Sequence, residues 1–227
     1  MKITYLGHAG FLVELNGINL VFDPFITPNE LAGNLDVNKI QADYVLLSHG
    51  HEDHVADAAT ILNNNNATVI SNFEIVSWFQ SKHQVEKGHP MNFGGSWSFD
   101  FGKVKYVSAV HSSVLPDGSY GGNPGGFVIE SFDRNFYYAG DTALTLDMQL
   151  IGRYCRLDIA FLPIGDNFTM GVDDAILAAE FIKCKKIIGM HFDTFGYIKI
   201  DHKLSVAKFK RAGIELILPE IGKPFEI

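Results

Sequence analysis

Residues 48–54 read SHGHEDH, placing three histidines and two carboxylates within seven positions, directly after the apolar run YVLL. Imidazole nitrogens and carboxylate oxygens are the donors that hold Zn²⁺ and its first-row neighbours. His49 and His51, two apart in extended backbone, project to the same side and can share one ion. Gly50 is expected to let the chain bend tightly between them. Asp53 and His54, at the start of the helix expected next, can face a second ion.

The same pattern recurs elsewhere. Apolar runs end in metal-capable residues at His8 (ITYLGH), His111 (YVSAVH), Asp141 (FYYAGD) and His191 (IIGMH). Strands of one sheet bring their ends to a common edge, so residues distant in sequence can converge there. His111 would complete three nitrogens on the first ion. His191 would join Asp53 and His54 on the second, and Asp141 could bridge the two with its paired oxygens. This donor mix suits two divalent ions, with Zn²⁺ preferred and Mn²⁺, Fe²⁺ or Ni²⁺ left open.

Further residues have narrower expectations. His8 is expected to act in catalysis by touching the substrate or its leaving group, and Asp53 by orienting the nucleophile. Asp23, in VFDPF, either orients a ligand imidazole or caps the turn before Pro24. Asp166 and Asn167 lie at another strand end, where Asp166 is expected to make a turn or support a ligand. His83, His89 and His202 are expected at the surface, and Trp78 and Trp97 in the core.

The elements that must position these residues show as short apolar or β-branched runs. Strands are expected over 2–6, 11–15, 18–22, 43–47, 67–71, 103–110, 126–131, 135–139, 158–162, 186–190 and 214–218. Asn16-Gly17 between two of them signals a two-residue hairpin turn. Helices are expected over 54–63, 73–82, 172–183 and 203–211, the third with Val172, Ile176, Ala179 and Ile182 on one face. Hairpins mixed with strand–helix alternation indicate a layered α/β fold rather than a single doubly wound parallel sheet. DYVLLSHGH (43–51) and DIAFLPIGD (158–166) form a faint internal echo. NNNN at 63–66 is a turn or helix end, and the glycine-rich stretch 117–126 lacks the Gly-Lys-Ser/Thr of a phosphate-binding loop.

The chain has 227 residues, 47% of them hydrophobic, with no linker-like stretch, so 1–227 is expected to form one domain. Its 26 acidic against 18 basic residues give a net charge of −8, and no basic block is present. Nucleic acid is therefore not an expected partner, and a small-molecule substrate is. No secretory or membrane-spanning pattern is found, so a cytoplasmic location away from the membrane is expected; oligomeric state is left open. Cys155 and Cys184 are expected as free thiols in the core.

HGHEDH has the H-x-H-x-D-H spacing of the metallo-β-lactamase superfamily, and His111, Asp141 and His191 follow in that superfamily's order. YLGHAGF, VHSS, GNPGGFVI, YAGDTAL, LPIGDNFTMG and HFDTF resemble a narrower group, the prokaryotic metal-dependent hydrolases related to ascorbate-6-phosphate lactonase. Gly196, where that group has proline, and Ala9, where serine is common, depart from it without touching a ligand position. The resemblance implies a four-layer αβ/βα sandwich with two mixed sheets and the metals at one edge. It also implies a dinuclear metal-dependent hydrolase in which a metal-bridging hydroxide attacks a small ester, lactone or phosphodiester. An RNA-processing nuclease and a metal-binding protein without turnover are the alternatives. Redox chemistry of the flavodiiron type is disfavoured by His51, since a carboxylate usually stands there.

Overall fold

The computed structural model describes residues 1–227, which divide into two compact units. The first comprises residues 1–93, 112–124 and 220–227. Its strands are β1 (Lys2–Gly7), β2 (Gly10–Leu15), β3 (Ile18–Phe22), β4 (Tyr44–Leu46), β5 (Thr68–Asn72), β6 (Lys87–Met91) and, from the chain's end, β14 (Pro224–Glu226). They form one sheet in the order β14-β1-β2-β3-β4-β5-β6. Pairing is antiparallel from β14 to β3 and parallel from β3 to β6. The β2–β3 turn sits at Asn16-Gly17, both at positive φ (54° and 81°), as a tight hairpin requires.

Helices α1 (Glu52–Val55), α2 (Ala58–Asn65) and α3 (Phe73–His83) complete this unit. Val21, Val45 and Val69 of the central strands pack with Ile61, Leu62, Ile75 and Phe79 into its apolar core. The single helix expected over 54–63 is interrupted at Asp57. That buried carboxylate accepts hydrogen bonds from the Ile26 and Thr27 amides (2.6 and 2.8 Å) and the Thr27 hydroxyl (2.6 Å). Its own amide donates to the Pro24 carbonyl, so the chain is held to the 24–27 loop instead of continuing the helix. Asn66 closes α2 in the left-handed conformation, as expected of the asparagine run.

The second unit comprises residues 94–111 and 125–219. It holds β7 (Ser96–Phe99), β8 (Gly102–Ser108), β9 (Gly125–Glu130), β10 (Phe136–Tyr138), β11 (Ile159–Pro163), β12 (Lys186–Met190) and β13 (Glu215–Ile217), with α4 (Met148–Tyr154), α5 (Val172–Phe181) and α6 (His202–Arg211). Sheet order follows the chain from β7 to β13, antiparallel as far as β10 and parallel from there. β11 is buried at all five positions, the pattern of a central parallel strand. Helix α5 packs on β11, and α6 on β13. The buried face of α5 is Ala175, Ala178 and Ala179, with Ile182 buried just past its end, whereas Val172 and Ile176 of the expected face are only half-buried.

The two sheets thus repeat one plan: seven strands, three antiparallel pairings, then three parallel ones. β4 and β11, which carry the sequence echo, hold the same rank. No helix is long and apolar enough to cross a membrane.

Candidate metal centre

In the first unit the metal-capable residues are organised around Asp23. It follows β3 in a left-handed conformation (φ 36°) and is fully buried. Its Oδ1 accepts the Ser48 amide (2.8 Å), and its Oδ2 accepts both the Ser48 hydroxyl (2.5 Å) and His54 Nδ1 (2.8 Å). A carboxylate oxygen accepts here, so His54 carries a proton on Nδ1, and in its neutral form the lone pair is on Nε2. The Ser48 proton is committed to Asp23, so its oxygen accepts from His49 Nδ1 at 2.9 Å. His49 therefore also presents a lone pair on Nε2. One buried aspartate sets the tautomer of two imidazoles, directly in one case and through a hydroxyl in the other.

His51 follows in extended backbone (φ −63°, ψ 146°), with its Nδ1 3.0 Å from His49 Nε2 and its Nε2 3.3 Å from the Ser112 hydroxyl. The two imidazoles aim at one point, as the spacing required. Gly50 between them shows no left-handed φ; the tight turn expected of it is absent. A Cβ there would instead come within 3.2 Å of Leu115 and 3.3 Å of the Ser113 hydroxyl, the group that accepts the Gly50 amide (3.0 Å). Glycine is needed for that close approach. Asp53 and His54 lie on α1, and one donor atom from each of His8, Asp53 and His54 falls within 4.8 Å of the others. His8, left-handed (φ 56°) and 1% exposed, places Nε2 3.1 Å from Asp53 Oδ2. Non-glycine residues in this conformation cluster at functional sites.

In the second unit Asp141 follows β10 through Gly140 (φ 62°) and is 2% exposed. Its Oδ2 lies 3.0 Å from His191 Nε2 and 3.5 Å from His111 Nε2, so a single oxygen faces two imidazoles. His191, after β12, is left-handed as well (φ 57°). Thr142 ties these segments together. Its hydroxyl accepts the Val110 amide (3.0 Å), its carbonyl accepts the Met170 amide (3.1 Å), and the next amide, Ala143, donates to the Val110 carbonyl (3.0 Å). The strand end bearing His111 is thereby fixed against the one bearing Asp141.

Asp166 and Asn167 both have positive φ, and Asp166 makes a turn: its carbonyl accepts the Phe168 amide (2.6 Å) while its Oδ1 accepts the Asn167 amide (2.8 Å). Trp97 is 56% exposed on the edge strand β7, so its expected core position is wrong: an edge strand has one unpaired side and little to cover it. Trp78 packs half-buried on the first unit's core. His202 is at the surface, paired with Asp193 (2.6 Å), whereas His83 and His89 are half-buried, and burial pulls His89 below the usual imidazole range. Both cysteines are free; burial, then Glu130 and Asp158, push Cys155 up to about 11, and burial raises Cys184. Sequence reasoning missed Ser48, Thr142 and Asp57. The first two adjoin ligand candidates, which was the available signal; nothing local marks Asp57.

A family model described as beta-lactamase superfamily domain matches residues 2–191. A UPF0173 metal-dependent hydrolase of Flavobacterium johnsoniae is 57% identical, with 100% of both chains covered. Another from Christiangramia forsetii is 55% identical, again over 100% of both. Among solved structures, Igni18, a metallo hydrolase of the archaeon Ignicoccus hospitalis, is 32% identical with a TM-score of 0.87, covering 100% of this chain and 98% of that one. Two mixed seven-stranded sheets with flanking helices, together with these matches, make the fold metallo-β-lactamase-like. With its buried histidine and aspartate clusters, the chain belongs to the beta-lactamase superfamily and, within it, to the UPF0173 metal-dependent hydrolases.

Proposed function

We propose that the clusters of the two units serve one dinuclear centre and that the chain hydrolyses a small ester, lactone or phosphodiester. His49, His51 and His111 would hold one ion, and Asp53, His54 and His191 the other, with Asp141 shared. On this reading residues 1–227 act as one hydrolase domain. The observation that carries it is Asp141 Oδ2 facing two imidazole nitrogens at 3.0 and 3.5 Å, the arrangement of a bridging carboxylate. The donors fit divalent cations: Ser48 and Asp23 engage Nδ1 of His49 and His54 and leave Nε2 of each ring to face an ion, the orientation that metal-binding imidazoles require. Nitrogen and carboxylate donors favour Zn²⁺, with Mn²⁺, Fe²⁺ and Ni²⁺ also compatible.

Bound divalent ions supply a water of lowered pKa and polarise the oxygen of the bond to be cleaved. The protein's own groups do the positioning. Asp53 Oδ2, held by His8 Nε2 at 3.1 Å, is the atom that orients the attacking water and receives its proton. His8, buried against both Asp53 and the Phe25 ring (5.6 Å), acts through that carboxylate. Asp23 and Ser48 keep the imidazoles in the metal-binding tautomer during turnover. The acidic balance of 26 to 18 charged residues favours a small substrate over RNA. The test is a panel of esters, lactones and phosphodiesters offered to metal-loaded protein. Hydrolysis abolished by EDTA and restored by metal is expected; a fully loaded protein inert across the panel contradicts the reading.

A further inference from the structure

Four strands of the second unit, β8, β10, β11 and β12, run in the same direction, so their carboxyl ends share one edge of the sheet. The segments leaving that edge expose large apolar side chains, among them Val110 (54%), Leu146 (72%), Phe168 (49%) and Tyr197 (78%), the first followed by Val114 (47%) and Tyr120 (63%). Three of these segments also carry His111, Asp141 and His191. The four segments, rather than the side chains themselves, are linked in series. Thr142 bonds to Val110 on one side and to Met170 on the other, drawing the Phe168 turn to the Asp141 loop. Phe168 in turn meets Tyr197 edge to face, ring centroids 6.1 Å apart and planes at 74°.

Isolated exposed apolar residues are ordinary, but a linked set bordering polar functional groups marks a ligand surface. Here every member sits on a segment that also leads to, or is bonded to, the residues around Asp141. The occupant must therefore be what those residues act on. We infer that Val110, Leu146, Phe168 and Tyr197 form an apolar collar that receives the hydrophobic part of the substrate, an aryl or medium-length acyl group. The scissile bond is then that of an apolar carboxylic ester or lactone rather than of a nucleotide phosphodiester. This rests on the hydrolase reading above and narrows its substrate class. Phe168 and Tyr197, whose rings touch, are the specificity-determining pair.

The experiment uses the metal-loaded full chain with p-nitrophenyl acetate, butyrate and octanoate below their micellar range, in the wild type, Phe168→Ser/Tyr197→Ser and Phe168→Leu. Calorimetric binding of acetate and octanoate, the corresponding products, runs in parallel and needs no turnover. The collar predicts that kcat/KM rises about tenfold or more from acetate to octanoate, carried mainly by KM, with octanoate bound tighter than acetate by a similar factor. Both gradients should collapse in the double serine variant at unchanged metal content and survive in Phe168→Leu. Hydrolysis without a chain-length gradient, or a gradient that persists in the double variant, overturns the collar and leaves the hydrolase reading intact. A variant-sensitive octanoate gradient in binding without hydrolysis of any ester upholds the collar and overturns the ester chemistry. Absence of both overturns both.

Discussion

The two units place an aspartate after the strand of the same rank and use it differently. Asp23 follows β3 and Asp141 follows β10, each the fourth strand of its sheet. Asp23 is enclosed by Ser48 and His54 and serves them as an acceptor; Asp141 stands between His111 and His191 with one oxygen toward both. The difference lies in the neighbouring segments. In the first unit one loop, after β4, carries His49, His51, Asp53 and His54, so its aspartate is needed to hold that loop's rings. In the second, His111 and His191 come from separate strand ends, so the aspartate itself must join them. Strand rank sets where a side chain emerges, and the adjoining loops set whether it holds the groups of one loop or stands between imidazoles from two.

Substitutions at equivalent ranks break this comparison most sharply. If Asp141 is the shared ligand proposed above, Asp141→Ala should lower hydrolysis by about 10³-fold, about 4 kcal/mol of transition-state stabilisation, with metal lost from the protein. Assays alongside elemental analysis check it; near-normal activity would make Asp141 a support like Asp23. Asp23→Asn should be milder. The amide keeps an acceptor for the Ser48 amide but offers donors where His54 Nδ1 and the Ser48 hydroxyl need an acceptor. Metal affinity is expected to fall 10–100-fold, as for other partners of ligating histidines, measured by competition with a chelating dye.

Thr142→Val sharpens the second unit's side of the comparison. It removes the acceptor of the half-buried Val110 amide and should cost about 1–2 kcal/mol in denaturant unfolding, with metal content retained. Loss of metal equal to that of Asp141→Ala would mean that Thr142 does more than fix the strand end. The smallest effect belongs to a residue outside both clusters. With Cys155 pushed up to about 11, only about one thiol in 10⁴ is ionised at pH 7, and the thiolate fraction grows as pH rises. Iodoacetamide should leave activity unchanged at neutral pH, with mass-detected labelling of Cys155 appearing only in alkali.

Much of this arrangement was legible in the sequence, and each omission has its own physical cause. Every expected strand is present, but β6, β7 and β14 gave no signal. All three are edge strands with at most one buried position, so selection for apolar residues is weak there. Pro90 and Pro224 sit in two of them, which an unpaired edge tolerates. The break at Asp57 was invisible because its partners, Ile26 and Thr27, lie thirty residues away, beyond any local pattern. Ligand candidates were readable because residue type and strand-end position coincide. Their supports were not: a serine or threonine beside a ligand looks like any loop hydroxyl until its bonds are known. The turn expected at Gly50 shows the same limit, since the constraint there comes from Ser113 and Leu115 rather than from backbone torsion.

That the residues of the two units serve a single pair of ions is tested most directly by electron paramagnetic resonance of the Mn²⁺-substituted chain, beside its metal content. The account predicts two Mn²⁺ per chain with an exchange-coupled signal, replaced by an uncoupled one in Asp141→Ala. Two magnetically isolated ions in the wild type, or one ion at saturation, would contradict it.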